Sequence, residues 1–309
     1  MLKDKYSSLS LAFCNYFINM LDICCVGHIT LDKIITPKAT KYMAGGTSFY
    51  FSKALRQMEV NFGLVTAVGQ SEMPVVDALR TEGIKIQASV SAHSVYFENS
   101  YGLNSDHRTQ RVLQQADPFT VEQLQPVEAK IFHLGPLLAN DMELEVIKYL
   151  ADKSTLSLDV QGYLRTVQNL KVLPVDWHDK IEALPYIHYL KANEYELEVL
   201  TGCTDINQGA QILADQGVKE VIITLGGQGS IILSNGQFYQ IPAYKPPTIT
   251  DATGCGDTYM AGYLYQRVKG ASIEQAGNFA AAMAGLKIGA SGPFTGTEGD
   301  VMAFMNQPR

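Results

Sequence analysis

Short apolar runs alternate along this chain with longer stretches whose apolar residues recur at helical spacing. Residues 21–27 and 61–68 read as buried strands. Between them Phe49, Phe51, Ala54, Leu55 and Met58 form a stripe that marks the core face of a helix. From residue 118 onward, apolar runs at 129–133, 155–159 and 186–191 are interleaved with helical patterns such as 142–150. A further strand spans 218–225, an amphipathic segment follows through Tyr259, Met260, Tyr263 and Leu264, and an alanine-rich helix covers 274–286. Such alternation predicts an α/β fold of three layers, a mostly parallel central sheet with helices on both faces. Residues 85–114 break the pattern: short runs at 94–97 and 110–113 carry polar residues at period two, which predicts strands outside the main core.

Composition narrows the function. A chain of 309 residues that is 46% hydrophobic has ample material for a globular core. A net charge of −7 and a pI near 5.4, with no basic run, speak against binding nucleic acid or an anionic membrane surface. The five cysteines are an odd number without a C-x-x-C pair, so neither a disulfide framework nor a zinc site is indicated, and a cytoplasmic location is expected. His133 has no partner at metal-ligand spacing and reads as a core-edge residue. Lys3 and Lys5 precede an apolar stretch, 9–20, that faintly imitates a signal peptide, but Asn15 and Asn19 interrupt it and no small-x-small cleavage site follows. Residues 1–20 are therefore read as an N-terminal extension before a domain covering 21–309, with Met20 a candidate start. No stretch reaches the roughly eighteen uninterrupted apolar residues of a membrane helix.

The chemistry concentrates in residues 251–264. Asp251 and Asp257 bracket a turn containing Gly254, Cys255 and Gly256, which opens onto the helical pattern. Unpaired N–H groups at a helix N-terminus bind anions, and glycines let the backbone approach a phosphate closely. A carboxylate beside such an anion hole suggests phosphoryl transfer, although an Asp-capped helix after a Gly turn has the same residues. Cys255 at the positive end of the helix dipole predicts a reactive thiolate. The chain contains no G-x-x-x-x-G-K-[ST] phosphate loop and no G-x-G-x-x-G after its first strand.

The run Asp251-Ala252-Thr253-Gly254-Cys255-Gly256-Asp257 resembles the Asp-Thr-x-Gly-Ala-Gly-Asp signature of the ribokinase-like (PfkB) carbohydrate kinases, with Ala252 and Cys255 replacing other small residues. The likeness recurs in order from Gly27 to about Pro293. It implies a ribokinase-like fold with a small β-sheet lid built from about 32–44 and 85–114, which often forms the contact of a homodimer. It implies Asp257 as general base and the N–H groups of Gly254, Cys255 and Gly256 as the anion hole. Gly27 and Asp32 resemble the family's Gly-x-x-x-x-Asp, whose Asp binds sugar hydroxyls. Gly45 and Gly46 match its Gly-Gly-x-x-x-Asn, with Tyr50 where the Asn stands, either a phenolic hydrogen-bond donor or a packing aromatic. The segment 159–165, with Gln161 and Arg165, resembles that of inositol-kinase-like members.

Asn193 and Glu196 resemble the Asn-x-x-Glu motif before Leu-Thr-Gly, which orients waters of the Mg²⁺ on ATP, and they equally satisfy an ordinary capping box. Thr224, Gly226 and Gly229 resemble the Thr-Leu-Gly-x-x-Gly turn at the ATP phosphates, and Asn278 the Asn near the adenine. Asp251, Thr253 and the closure at 289–292 imply a monovalent-cation site, hence activation by K⁺. The resemblance thus implies an ATP- and Mg²⁺-dependent kinase acting on a neutral sugar or polyol, ribose- or inositol-like. A nucleoside kinase, and a catalytically silent sugar-binding protein on the same fold, are the alternatives. Among the acceptor segments only Arg165 is cationic, so a phosphorylated acceptor is not expected.

Overall fold

The computed structural model describes residues 17, 19–101 and 108–307, so most of the N-terminal extension lies outside the described residues. Phe17 is described and buried, and its ring fills the space over Gly63, where a Cβ would sit 2.5 Å from it.

The strands are β1 (Leu21–Val26), β2 (Thr30–Ile35), β3 (Thr40–Gly45), β4 (Phe62–Gly69), β5 (Lys85–Ser91), β6 (Val95–Tyr101), β7 (Arg108–Gln114) and β8 (Ala129–Leu134). They continue with β9 (Thr155–Asp159), β10 (Arg165–Gln168), β11 (Lys171–Pro174), β12 (Tyr189–Asn193), β13 (Glu220–Thr224), β14 (Ser230–Ser234) and β15 (Gln237–Ile241). Nine of them form a sheet in the order β15-β14-β13-β12-β9-β8-β1-β4-β5. The run from β13 to β5 is parallel, while β14 and β15 add an antiparallel edge. This is the three-layer arrangement the alternation predicts. Along β1 the pleat sends Cys24 and Val26 into one apolar core and Ile23 and Cys25 into the other, so a strand without polar alternation is buried on both faces.

After β1 the large sheet grows one way through β4 and β5, and later the other way through β8, β9 and β12. The crevice beyond the carboxyl ends of β1 and β8 is therefore the switch point where open α/β sheets bind ligands. Backbones crowd there: a Cβ on Gly27 would lie 2.7 Å from the Gly135 carbonyl oxygen, and Gly135 N–H donates to Val26 O at 2.9 Å. His133, on β8, is buried as expected, accepts or donates at Ser157 Oγ 2.9 Å away and stacks on Phe51. Burial, with Lys191 nearby, lowers its pKa to about 3, so it stays neutral.

A second sheet in the order β10-β11-β7-β6-β2-β3 stands over this crevice end. The stretch 85–114 divides between the two sheets: β5 closes the edge of the large one, and only β6 and β7 join the small one. Five of the seven residues of β5 are apolar or small, and the whole strand pairs with β4, which outweighs the polar interruptions. The small sheet also takes in the hairpin β10–β11, which the sequence pattern leaves unassigned because each strand is only four residues long and neither carries a clear apolar alternation. Its turn places Asn169 and Leu170 at φ of 50° and 64°, a left-handed pair suited to a tight hairpin.

Candidate active site

The helix Cys255–Val268 starts at the crevice because its N-terminal turn is packed from three sides. Gly254 caps it at φ 76°, and a Cβ there would fall within 2.2–2.8 Å of the Tyr50 ring, so only glycine allows this approach. Tyr50 belongs to the helix Thr47–Leu55, is 2% exposed, and its hydroxyl meets no partner among the described residues. Burial and the nearby Asp251, Asp32 and Asp257 push that phenol above its usual pKa. Tyr50 thus lines the cleft first as a packing wall behind the glycine turn.

Among the described residues, the N–H groups of Gly254 and Gly256 meet no backbone acceptor, as an anion hole requires. Cys255 departs from expectation on two counts. Its N–H donates to the Ala252 carbonyl at 3.2 Å, so it closes the turn instead of facing an anion. Burial pushes its thiol to about 11, against the pull of Lys287, so the dipole does not make a thiolate at neutral pH. Alkylation of Cys255 by iodoacetamide at pH 7 is accordingly expected to be slower than that of a free thiol. Mass-spectrometric labelling rates with and without ATP check this.

Asp257 lies in the first turn of the same helix. Desolvation, then the Asp159 carboxylate, raise its pKa to about 6, while Lys191, a hydrogen bond from the Thr47 side chain and Arg165 hold it from rising further. Across its base runs a buried charge cluster whose lysine belongs to none of the motifs. Lys191, 5% exposed, donates to Asp159 Oδ2 at 3.0 Å and lies 3.6 Å from Glu196 Oε2. A Cβ on Gly256 would be 3.3 Å from Lys191 Nζ, which places the ammonium directly beneath the anion-hole turn. Burial opposes the lysine's charge, but Asp159 and Glu196 outweigh it and hold the pKa above the usual lysine value.

Asn193 and Glu196 form the capping box: Asn193 Oδ1 accepts from the Tyr195 and Glu196 N–H groups, and Glu196 Oε2 accepts from Asn193 N–H at 2.8 Å. Glu196 Oε1 accepts from Gln161 Nε2 at 3.1 Å, so this carboxylate is spent on the protein and does not line the cleft, whereas Asn193 and Gln161 do. No group of three acidic, His or Cys side chains among the described residues could alone hold a metal. A Mg²⁺ here would have to arrive with phosphate ligands.

One cleft of about 1970 Å³ joins these parts. Among its lining residues are Asp32 on β2, Gly46, Tyr50, Phe97, Gln161 and Arg165. Thr30 Oγ1 donates to Asp32 Oδ1 at 2.7 Å, and Asp32 Oδ2 lies over Gly45, where a Cβ would come within contact too short to exist. Gly46, at φ 85°, starts the helix Thr47–Leu55 with its Cα pressed on the His28 carbonyl. The lining continues through Thr224, Gly226, Gly229, Ala243, Ala281, Ala284 and Ile288. Gly226 and Gly229 take φ of 54° and 95° in the turn after β13, as the Gly pattern there suggests. Asn278 falls outside the lining: its amide oxygen accepts from the Tyr244 hydroxyl at 3.1 Å and its nitrogen donates to Glu274 O. Asp251 and Thr253 are joined, Thr253 N–H donating to Asp251 Oδ1 at 2.9 Å, and the cation expected beside them meets Lys287, whose ammonium already lies on Asp251.

Known proteins resemble this chain along nearly its whole length. The pfkB family carbohydrate kinase model matches residues 12–298. A cytidine kinase of Thermococcus kodakarensis is 25% identical over 83% of the chain and 92% of its own length. A pyrophosphate-dependent kinase of the ribokinase family, solved with a pyrophosphate analogue and myo-inositol, superposes with a TM-score of 0.82 at 28% identity, over 91% of this chain and 99% of that one. Arabidopsis thaliana ribokinase, solved with ribose and ATP, shares the fold with a TM-score of 0.78 at 21% identity, over 94% and 100% of the two chains. The family match across nearly the whole chain makes this protein a member of the pfkB carbohydrate kinase family, phosphotransferases that act on a hydroxyl group.

Proposed function

We propose that this kinase transfers the γ-phosphoryl group of ATP to a hydroxyl of a neutral sugar or polyol. The observation that carries the reading is Asp257, a carboxylate with a pKa near 6 set between the glycine turn and the acceptor wall of one cleft. A base of that pKa is deprotonated at pH 7 yet strong enough to accept the hydroxyl proton as the oxygen attacks. The Thr47 side chain fixes the carboxylate, and the N–H groups of Gly254 and Gly256 stabilise charge on the transferring group. Mg²⁺ brought by the nucleotide would neutralise the phosphates further, and Asn193 and Thr224, which line the cleft, would help to hold its waters.

The acceptor wall supports a neutral ligand. Asp32 accepts hydrogen bonds from paired hydroxyls but repels a phosphate. Lys38 and Lys41 reach the cleft only at its exposed rim, and its inner lining carries Arg165 together with Lys191, whose charge is already met by Asp159 and Glu196. The small sheet, carrying Asp32 and Phe97, then acts as a lid over the acceptor. On the donor side, the walls of Ala243, Ala281, Ala284 and Ile288 suit a flat apolar base, which supports ATP over bare pyrophosphate. One further acceptor class has an observation behind it: Phe97 offers an aromatic wall to a nucleoside, and the Thermococcus relative is a cytidine kinase.

The test measures kcat/KM for myo-inositol, ribose, cytidine, fructose 6-phosphate and tagatose 6-phosphate, each with ATP and with pyrophosphate. A neutral acceptor with ATP is expected to lead. A phosphorylated sugar ahead by more than about tenfold, some 1.4 kcal/mol of transition-state preference, overturns the neutral-acceptor claim. Turnover with pyrophosphate alone overturns the donor claim.

A further inference from the structure

Lys287 is the second buried lysine of this site, and no motif accounts for it. It stands in the last turn of the helix Ile273–Ile288, with its side chain 0% exposed. Its Nζ donates to the Asp251 carbonyl oxygen at 2.7 Å and lies 3.3 Å from Asp251 Oδ2. A charge-bearing group fully removed from water is retained only where a partner of opposite charge or strong acceptors hold it, and here both belong to one residue.

Asp251 is the residue on which the glycine turn hangs. Its Oδ1 accepts from Thr253 N–H at 2.9 Å and its Oδ2 from Gly292 N–H at 3.4 Å. Its own N–H and that of Thr250 donate to Ile288 O, and Thr250 Oγ1 donates to Gly289 O at 3.0 Å. The carboxylate and the carbonyl of Asp251 thus point together at the helix end, with the first oxygen atoms a cation would want. The ammonium of Lys287 is already on them. A K⁺ would have to share these oxygens with a like charge that is fully removed from water, which Coulomb repulsion disfavours. The residues present therefore do not fit a monovalent cation.

We propose that Lys287 is a built-in cation: its ammonium holds the Asp251–Gly254 turn in the geometry that presents the Gly254 and Gly256 N–H groups, and phosphoryl transfer needs no added monovalent ion. The proposal rests on the kinase reading for its catalytic consequence alone. Lys287 is a positioning residue, since it touches Asp251 and not the cleft's reacting atoms. Its field nonetheless reaches the turn, where it draws the Cys255 thiol down against the effect of burial.

The wild-type protein is compared first in KCl, NaCl and tetramethylammonium chloride at equal ionic strength. Rates equal within about twofold are expected, and activation by K⁺ of more than about fivefold overturns the proposal. Lys287→Ala, which vacates the ammonium's position, is expected to lose roughly 10- to 100-fold in kcat by loosening the anion hole. In that variant NH₄⁺ or K⁺ should raise both Tm and kcat saturably, while tetramethylammonium should not. Lys287→Met, whose chain fills the space without charge, should lose rate and gain nothing from either ion. A Tm of Lys287→Ala that responds alike to ammonium and tetramethylammonium overturns the proposal. If Lys287→Ala does not fold, the wild-type cation comparison decides. Failure of the wild-type protein to phosphorylate any acceptor would sink the kinase reading and leave the melting comparison to judge Lys287 by itself.

Discussion

Asp257→Asn is expected to lower kcat by roughly 10²–10⁴-fold with little change in KM, because it removes a proton acceptor that matters mainly in the transition state. Stability should not fall with it. A carboxyl whose folded pKa is raised from 3.8 to about 6 is penalised at neutral pH, by about 3 kcal/mol. The sign follows from the direction of the shift: the folded state binds the proton more tightly than the unfolded chain, so this penalty is relieved as pH falls through about 6 and is full at pH 7. The amide carries no such penalty and can still accept from Thr47. A variant with unchanged or higher Tm and a collapsed kcat is the signature of a functional carboxylate. The wild-type rate should in turn decline as pH falls through about 6, and that inflection should vanish from the residual rate of Asp257→Asn. Retention of more than about half of the wild-type kcat would remove Asp257 from the role of base.

The parts of this site that the sequence discloses are those whose chemistry is local. A helix start with Gly254 and Gly256, a Gly–Gly before the stripe of Phe49 to Met58, and an Asn-x-x-Glu cap each need particular residues at fixed spacing, because the backbone itself makes the feature. The large sheet was legible for a related reason: strands buried on both faces leave continuous apolar runs. Tertiary choices were less so. Strand β5 and the short hairpin β10–β11 are assigned to their sheets by neighbours far away in the chain, and their own patterns do not say which. Asn278 illustrates the same limit, since its amide is taken by Tyr244 from 34 residues upstream.

Lys191 and Lys287 did leave a trace. Lys191 interrupts the apolar strand Tyr189–Asn193, and Lys287 follows the apolar and glycine run Phe279–Leu286 in the last turn of its helix. A lysine inside an element buried on every side has to be paired, so each announces a carboxylate elsewhere in the chain. Which carboxylate is a property of the fold: Asp159 lies 32 residues before Lys191, and Asp251 lies 36 before Lys287.

Lys191→Met is expected to damage the protein in two separable ways. Removing one partner of a buried cluster leaves Asp159 and Glu196 uncompensated, which costs about 3–5 kcal/mol and lowers Tm by about 10 °C. The same change takes away a charge that holds the Asp257 pKa down, while Asp159, which raises it, remains. The acid limb of the pH–rate profile should therefore move to higher pH, and kcat at pH 7 should fall by roughly 10²-fold or more as the cation beneath the glycine turn is lost. Pairing the substitution with Asp159→Asn separates the effects. The double variant removes the unpaired carboxylate, so Tm should recover and the acid limb should return toward or below its wild-type position, whereas kcat should stay low. If kcat recovers together with Tm, Lys191 serves only to neutralise Asp159 in the folded state. If the single variant melts like wild type, the two carboxylates are not held by Lys191 and the buried cluster has another source of charge balance.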